Sequence, residues 1–137
     1  DPYSRMLDIL SAANVQVFNG SNLADCQASD NVVPYGYYNY VRNVMVLCVN
    51  NGTEQEMKET LVHESVHVAQ DCAAGGIESS ELRPLGNWKS LWNELSEYHK
   101  RNITELYPVE QWGAETEARY LEQSPNTVNN ILTKFCF

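Results

Sequence analysis

Apolar residues recur along this chain in two rhythms, and the rhythms divide it into elements. Tyr3, Met6, Leu7, Leu10 and Ala13 stand at helical spacing, predicting a short amphipathic helix over 3–13. Val15 and Val17 then alternate with polar neighbours until Asn19-Gly20, a short strand ending in a turn. Residues 20–34 are polar and irregular, a loop closed by Pro34 and pinned through Cys26. The aromatic run 35–40 and the β-branched run Val44–Val49, separated by Arg42-Asn43, predict a hairpin. Thr53 stands three residues before Glu56, the signature of a capping box, so a helix is expected from about 54 to 73. Gly75-Gly76 supplies its stop. A loop follows over 75–87. Trp88, Leu91, Trp92, Leu95 and Tyr98 then predict one helix over 87–104, ended by Tyr107-Pro108. Two more helices are expected, over 109–122 and from Ser124-Pro125 onward, the last with Val128, Ile131, Leu132 and Phe135 inward.

These elements predict an α+β fold, a short antiparallel or mixed sheet packed on the 54–73 helix with further helices C-terminal to it. The 137 residues suffice for one domain, 1–137, with one core. There is no internal repeat. No apolar run approaches the ~20 residues that span a bilayer, so a soluble chain is expected. A net charge of −9 argues against nucleic acid and anionic membranes as partners. Four cysteines, none in C-x-x-C spacing, allow two disulfides in three connectivities. With three N-x-S/T sites at Asn19, Asn51 and Asn102, they favour an exported, extracytoplasmic protein, with the cytoplasm as the alternative. The start at Asp1-Pro2, without Met, fits either processing or trimming and decides nothing about a leader or anchor. A monomer is expected.

The 54–73 helix carries His63-Glu64-Ser65-Val66-His67. Residues four apart lie on one helix face, one turn above the other. Two imidazoles so placed can converge on one metal ion, and Glu64 can reach a water beside it; this is the H-E-x-x-H pattern. The plainer reading is a pair of hydrogen-bonded core histidines. Leu61, Val62, Val66, Val68 and Ala69 make the segment apolar, however, and two His and a Glu on one buried face are costly without a partner. A catalytic zinc site takes three protein ligands. His99 is the remaining histidine, and the best carboxylate cluster is Glu115-Thr116-Glu117-Ala118-Arg119. Glu115 and Glu117 point about 200° apart on a helix, so one of them at most can face the metal. Spacing does not choose between them, and both also suit a solvated face pairing with Arg119.

The E-x-E-A-polar run after H-E-x-x-H resembles the gluzincin type of zinc metallopeptidase, in which the first Glu binds the metal. A looser similarity, over about 44–121, is to the mitochondrial ATP-synthase-assembly metallopeptidase family. Leu47-Cys48-Val49-Asn50 and Asp71-Cys72 match its strand and helix-end patterns. Ala73-Ala74 replaces a basic residue there, so that family's substrate does not carry over. The resemblance implies a minimal zincin-like fold, one Zn²⁺ held by His63, His67 and Glu115, and Glu64 as general base on a metal-bound water. Glu117 and His99 are the rival third ligands. Tyr107, Tyr120 and His99 are the candidate donors to the oxyanion. Val44–Val49 is the expected edge strand for an extended peptide or protein substrate. The alternative function is a non-catalytic binding or scaffold domain in which the metal is structural or vestigial.

Overall fold

The computed structural model describes residues 1–75 and 82–137 of the chain. Helix α1 (Pro2–Ala12) starts where the Asp1 carboxylate accepts from the Tyr3 and Ser4 amides. It buries Met6 and Leu10, whereas Leu7, expected inward, is exposed. Strand β1 (Gln16–Asn19) follows. Strands β2 (Gly36–Asn39) and β3 (Val44–Leu47) form the expected hairpin, its turn held by Asn39 Oδ1 accepting from the Val41 and Arg42 amides.

The sheet order is β1-β3-β2, with β1–β3 parallel and β2–β3 antiparallel. This corrects the expectation that Val44–Val49 is an edge. Its β-part ends at Leu47, it is the central strand, and Val49–Asn51 is a 3₁₀ turn. The physical reason is burial on both faces. Met45 enters the main core, and Val46 enters a second cluster with the disulfide-bonded Cys26 and Cys48. A strand that is apolar on both sides goes to the middle.

Helix α2 (Glu54–Ala73) has the predicted bounds. Thr53 Oγ1 accepts from the Glu56 amide and Glu56 Oε1 from the Thr53 amide, which completes the capping box. Gly75, at φ 108°, turns the chain away; Gly76 and the rest of the predicted loop through residue 81 lie outside the described residues.

The helix predicted over 87–104 is two helices, α3 (Trp88–Glu94) and α4 (Glu97–Leu106). Leu95 is extended, and the Ser96 hydroxyl accepts from the His99 amide, starting a new helix. Tyr98 is consequently exposed. The helix predicted over 109–122 begins as a 3₁₀ turn (Val109–Gln111) and becomes α5 (Trp112–Leu121). Helix α6 (Pro125–Cys136) closes the chain's order of elements.

Helix α2 is the hub. Helices α5 and α6 and strands β2 and β3 pack on it, and α1 packs on α6. Met6, Leu10, Met45, Val62, Val66, Val68, Ala69, Ala118, Val128 and Leu132 are the fully buried residues of this core. A second disulfide, Cys72–Cys136, ties the end of α2 to the end of α6. Among the described residues, no helix is long and apolar enough to cross a membrane.

Candidate metal centre

On α2, His63 and His67 present their Nε2 atoms to the same space, with ring centroids 5.1 Å apart. Helix α5 crosses that space and inserts Glu115. Its start lies close to the 84–88 segment because residue 113 is glycine; a Cβ there would stand 2.9 Å from the Trp88 ring and 3.0 Å from Pro84. Glu115 Oε2 is 2.8 Å from His67 Nε2, and Oε1 is 3.3 Å from His63 Nε2. The three ligand atoms lie within 4.8 Å of one another, so this group could hold a metal ion.

The residues fit that role on two counts. Glu115 Oε1 is buried, out of line for a hydrogen bond to His63, and without a hydrogen-bond partner among the described residues. A buried carboxylate oxygen with a spare lone pair is what a cation would satisfy. The other ring nitrogens are already engaged. His63 Nδ1 donates to Glu122 Oε1 at 3.0 Å, and His67 Nδ1 to Gln70 Oε1 at 2.8 Å. Each imidazole therefore has Nε2 left for the shared space.

The charges are tightly coupled. Burial opposes a charged His63, but the nearby Glu115 carboxylate, the hydrogen bond to Glu122 and the charge of Glu64 outweigh it and push its pKa up to about 10. His67 is raised in the same way, mainly by Glu115. Burial likewise opposes a charged Glu115, yet the two imidazoles hold it below the ordinary carboxylate range. Glu64 is raised by burial, in part offset by His63, His67 and the Tyr38 backbone N–H. Its Oε2 stands 4.0 Å from His63 Nε2.

The site opens into a cleft of 580 Å³ whose walls include Gly36, Glu59, His63, Glu64 and Tyr107. A larger depression of 740 Å³ between α1 and β1 carries no ionisable side chain and offers no comparable chemistry. The edge of β2 borders the cleft. The Cys48 amide donates to Tyr35 O, so by antiparallel alternation Gly36 and Tyr38 turn their backbone groups outward. Gly36 has no room for a side chain, since a Cβ would stand 2.6 Å from Val46 O and 2.9 Å from Thr60.

The rival ligands lie elsewhere. Glu117 faces away and accepts from the Leu85 and Gly86 amides. His99 is on the cleft wall, where its Nδ1 accepts from Arg119 at 3.0 Å; burial and the charge of Arg119 lower its pKa. Tyr107 lines the same cleft as His63 and Glu64. Burial and the charge of Glu115 push its hydroxyl up to about 12. Tyr120, 40% exposed, is not part of the cleft wall. Arg119, whose pairing with Glu115 and Glu117 was the plainer alternative reading, bridges His99 and Asn102. Glu122 and Gln70 were not singled out from sequence. Glu122 is two turns beyond Glu115 and Gln70 one turn beyond His67, so their spacing was the available signal.

Fold and site together define an α+β domain with two disulfides and a His-His-Glu group competent for a metal ion. The chain belongs to the family described as "Domain of unknown function (DUF8637)", whose family model matches residues 3–137. No curated protein and no solved structure matches it.

Proposed function

We propose that this protein is a zinc-dependent endopeptidase. The observation that carries the reading is Glu64, a partly buried carboxylate with a raised pKa standing beside the His63–His67–Glu115 group at an open cleft. Two imidazoles and a carboxylate are borderline donors that suit zinc. Zinc, when bound, supplies a Lewis acid for the scissile carbonyl.

The chain's own residues supply the rest. Glu64 takes a proton from the attacking water on its carboxylate and delivers it to the leaving amine nitrogen; its raised pKa brings it toward the range in which both transfers are favourable. The Tyr107 hydroxyl donates to the developing oxyanion. A peptide lies extended along the outward edge of β2 and pairs with the Gly36 backbone, in place of the edge first expected from Val44–Val49. The two disulfides suit an oxidising, extracytoplasmic compartment.

Elemental analysis after dialysis and a peptide-cleavage assay test this together. About one zinc per chain is expected in wild type and in Glu64→Gln, with loss in His67→Ala and Glu115→Ala. Glu64→Gln should lower kcat by about 10²–10⁴-fold. A Gln variant that cleaves as fast as wild type would refute the mechanism. Bound zinc without any cleavage by wild type would instead make the domain a binding module stapled by its metal.

A further inference from the structure

We infer that Glu117 and Gln70 form a positioning relay that decides which nitrogen of His67 is offered to a metal ion. The inference rests on the metal-holding role proposed above for His63, His67 and Glu115.

The relay starts at Glu117, which is 4% exposed although it is a carboxylate. Its Oε1 accepts from the Leu85 amide at 2.7 Å and from Gln70 Nε2 at 2.8 Å, and its Oε2 from the Gly86 amide at 2.9 Å. Those three donors fix the carboxylate in place. Gln70 is fully buried on α2, and its second N–H reaches Ala114 O at 3.1 Å. Both hydrogens of the amide are therefore committed to acceptors on α5. Rotating the amide by half a turn would set its oxygen against the Glu117 carboxylate and the Ala114 carbonyl, two acceptor–acceptor contacts in a water-poor interior. The amide oxygen is thus held toward His67 Nδ1 at 2.8 Å.

An oxygen in that place requires a hydrogen on Nδ1. His67 keeps that hydrogen, and Nε2 is the nitrogen that can take a metal. Glu122 does the same for His63 by direct contact. For His67 the carboxylate is one residue removed, behind a neutral amide. The site thus gains orientation without another negative charge beside Glu64, Glu115 and Glu122.

The test uses full-length, ¹⁵N-histidine-labelled protein titrated with zinc against a chelator. The wild-type spectrum should show His67 with Nδ1 protonated and Nε2 metal-bound. Gln70→Met keeps the length of the side chain and removes the amide; zinc affinity should fall about 10–100-fold. Glu117→Met should also weaken zinc binding. The two losses should not add, because both remove one constraint. Metal on Nδ1, wild-type affinity in Gln70→Met, or additive losses would overturn the relay while leaving the metal site standing. If a variant fails to fold, the wild-type spectrum decides. A wild type that takes up no zinc overturns the relay and the proposed function together.

Discussion

His63 is surrounded by Glu64, Glu115 and Glu122, and this governs how the metal-free chain responds to pH. Its folded pKa, about 10, lies above the ordinary imidazole value of about 6.5. A raised pKa contributes stability that is fully present below the unfolded value and is lost as pH rises through the folded one. The metal-free protein should therefore lose Tm steadily between about pH 6.5 and about pH 10. Glu115 has the opposite sign. Its depressed pKa contributes stability above the ordinary carboxylate range that is lost as pH falls. Under the proposed function zinc would take the place of the proton on His63 Nε2, so thermal unfolding of the zinc-loaded protein should be flatter across the alkaline range. Equal slopes with and without zinc would refute the assignment. Under the proposed mechanism, Tyr107→Phe removes one oxyanion donor and should lower kcat by about 10²–10³-fold with KM little changed, read from steady-state kinetics. At this scale the five-residue pattern was enough to place His63 and His67 on one face. Helical spacing left Glu115 and Glu117 open and the resemblance favoured Glu115; the docking of α5 on α2 is what turns that carboxylate inward. Ala118, three residues beyond Glu115, is fully buried in that contact.

Elements were read best where a local hydrogen bond writes the boundary into the sequence. The start of α2 followed from Thr53 and Glu56 alone. The break between α3 and α4 was missed because Trp88, Leu91, Trp92 and Leu95 keep a helical rhythm up to the residue where Ser96 caps a new helix. A periodic stripe records which side is buried, and it is silent about an interruption that keeps the side. The β3 position was misread for a related reason. Alternation along a strand shows its faces, but its neighbours are set by long-range pairing. The caps should carry measurable stability. Thr53→Ala and Ser96→Ala should each cost about 1 kcal/mol in urea unfolding. Their consequences differ: Ser96→Ala should also weaken the cleft wall, since α4 carries His99 and Asn102, both held by Arg119.

Across the whole molecule, the two disulfides close loops of unequal length. Cys72–Cys136 spans 64 residues and Cys26–Cys48 spans 22. In the chain-entropy view, removing the longer link costs about 4 kcal/mol and the shorter about 3. Paired Cys→Ser replacements should rank in that order by urea unfolding. The pairing itself was beyond the sequence, which allowed three connectivities; it follows from α6 lying along α2 and from the 20–34 loop covering the outer face of β3.

That long link also imposes an order on synthesis. A chain emerging from its N-terminus presents Cys26 and Cys48 within one short interval, and they can join while the hairpin forms. Cys72 then appears with no correct mate for the next 64 residues. Its apolar helix remains uncovered over the same stretch, because α5 and α6 are still unmade. The metal group is equally incomplete until Glu115 arrives. The newborn chain thus carries a free thiol until Cys136 emerges and a half-built site until Glu115 does. Early closure of the first bridge removes the two sulfurs with which that thiol could otherwise pair wrongly.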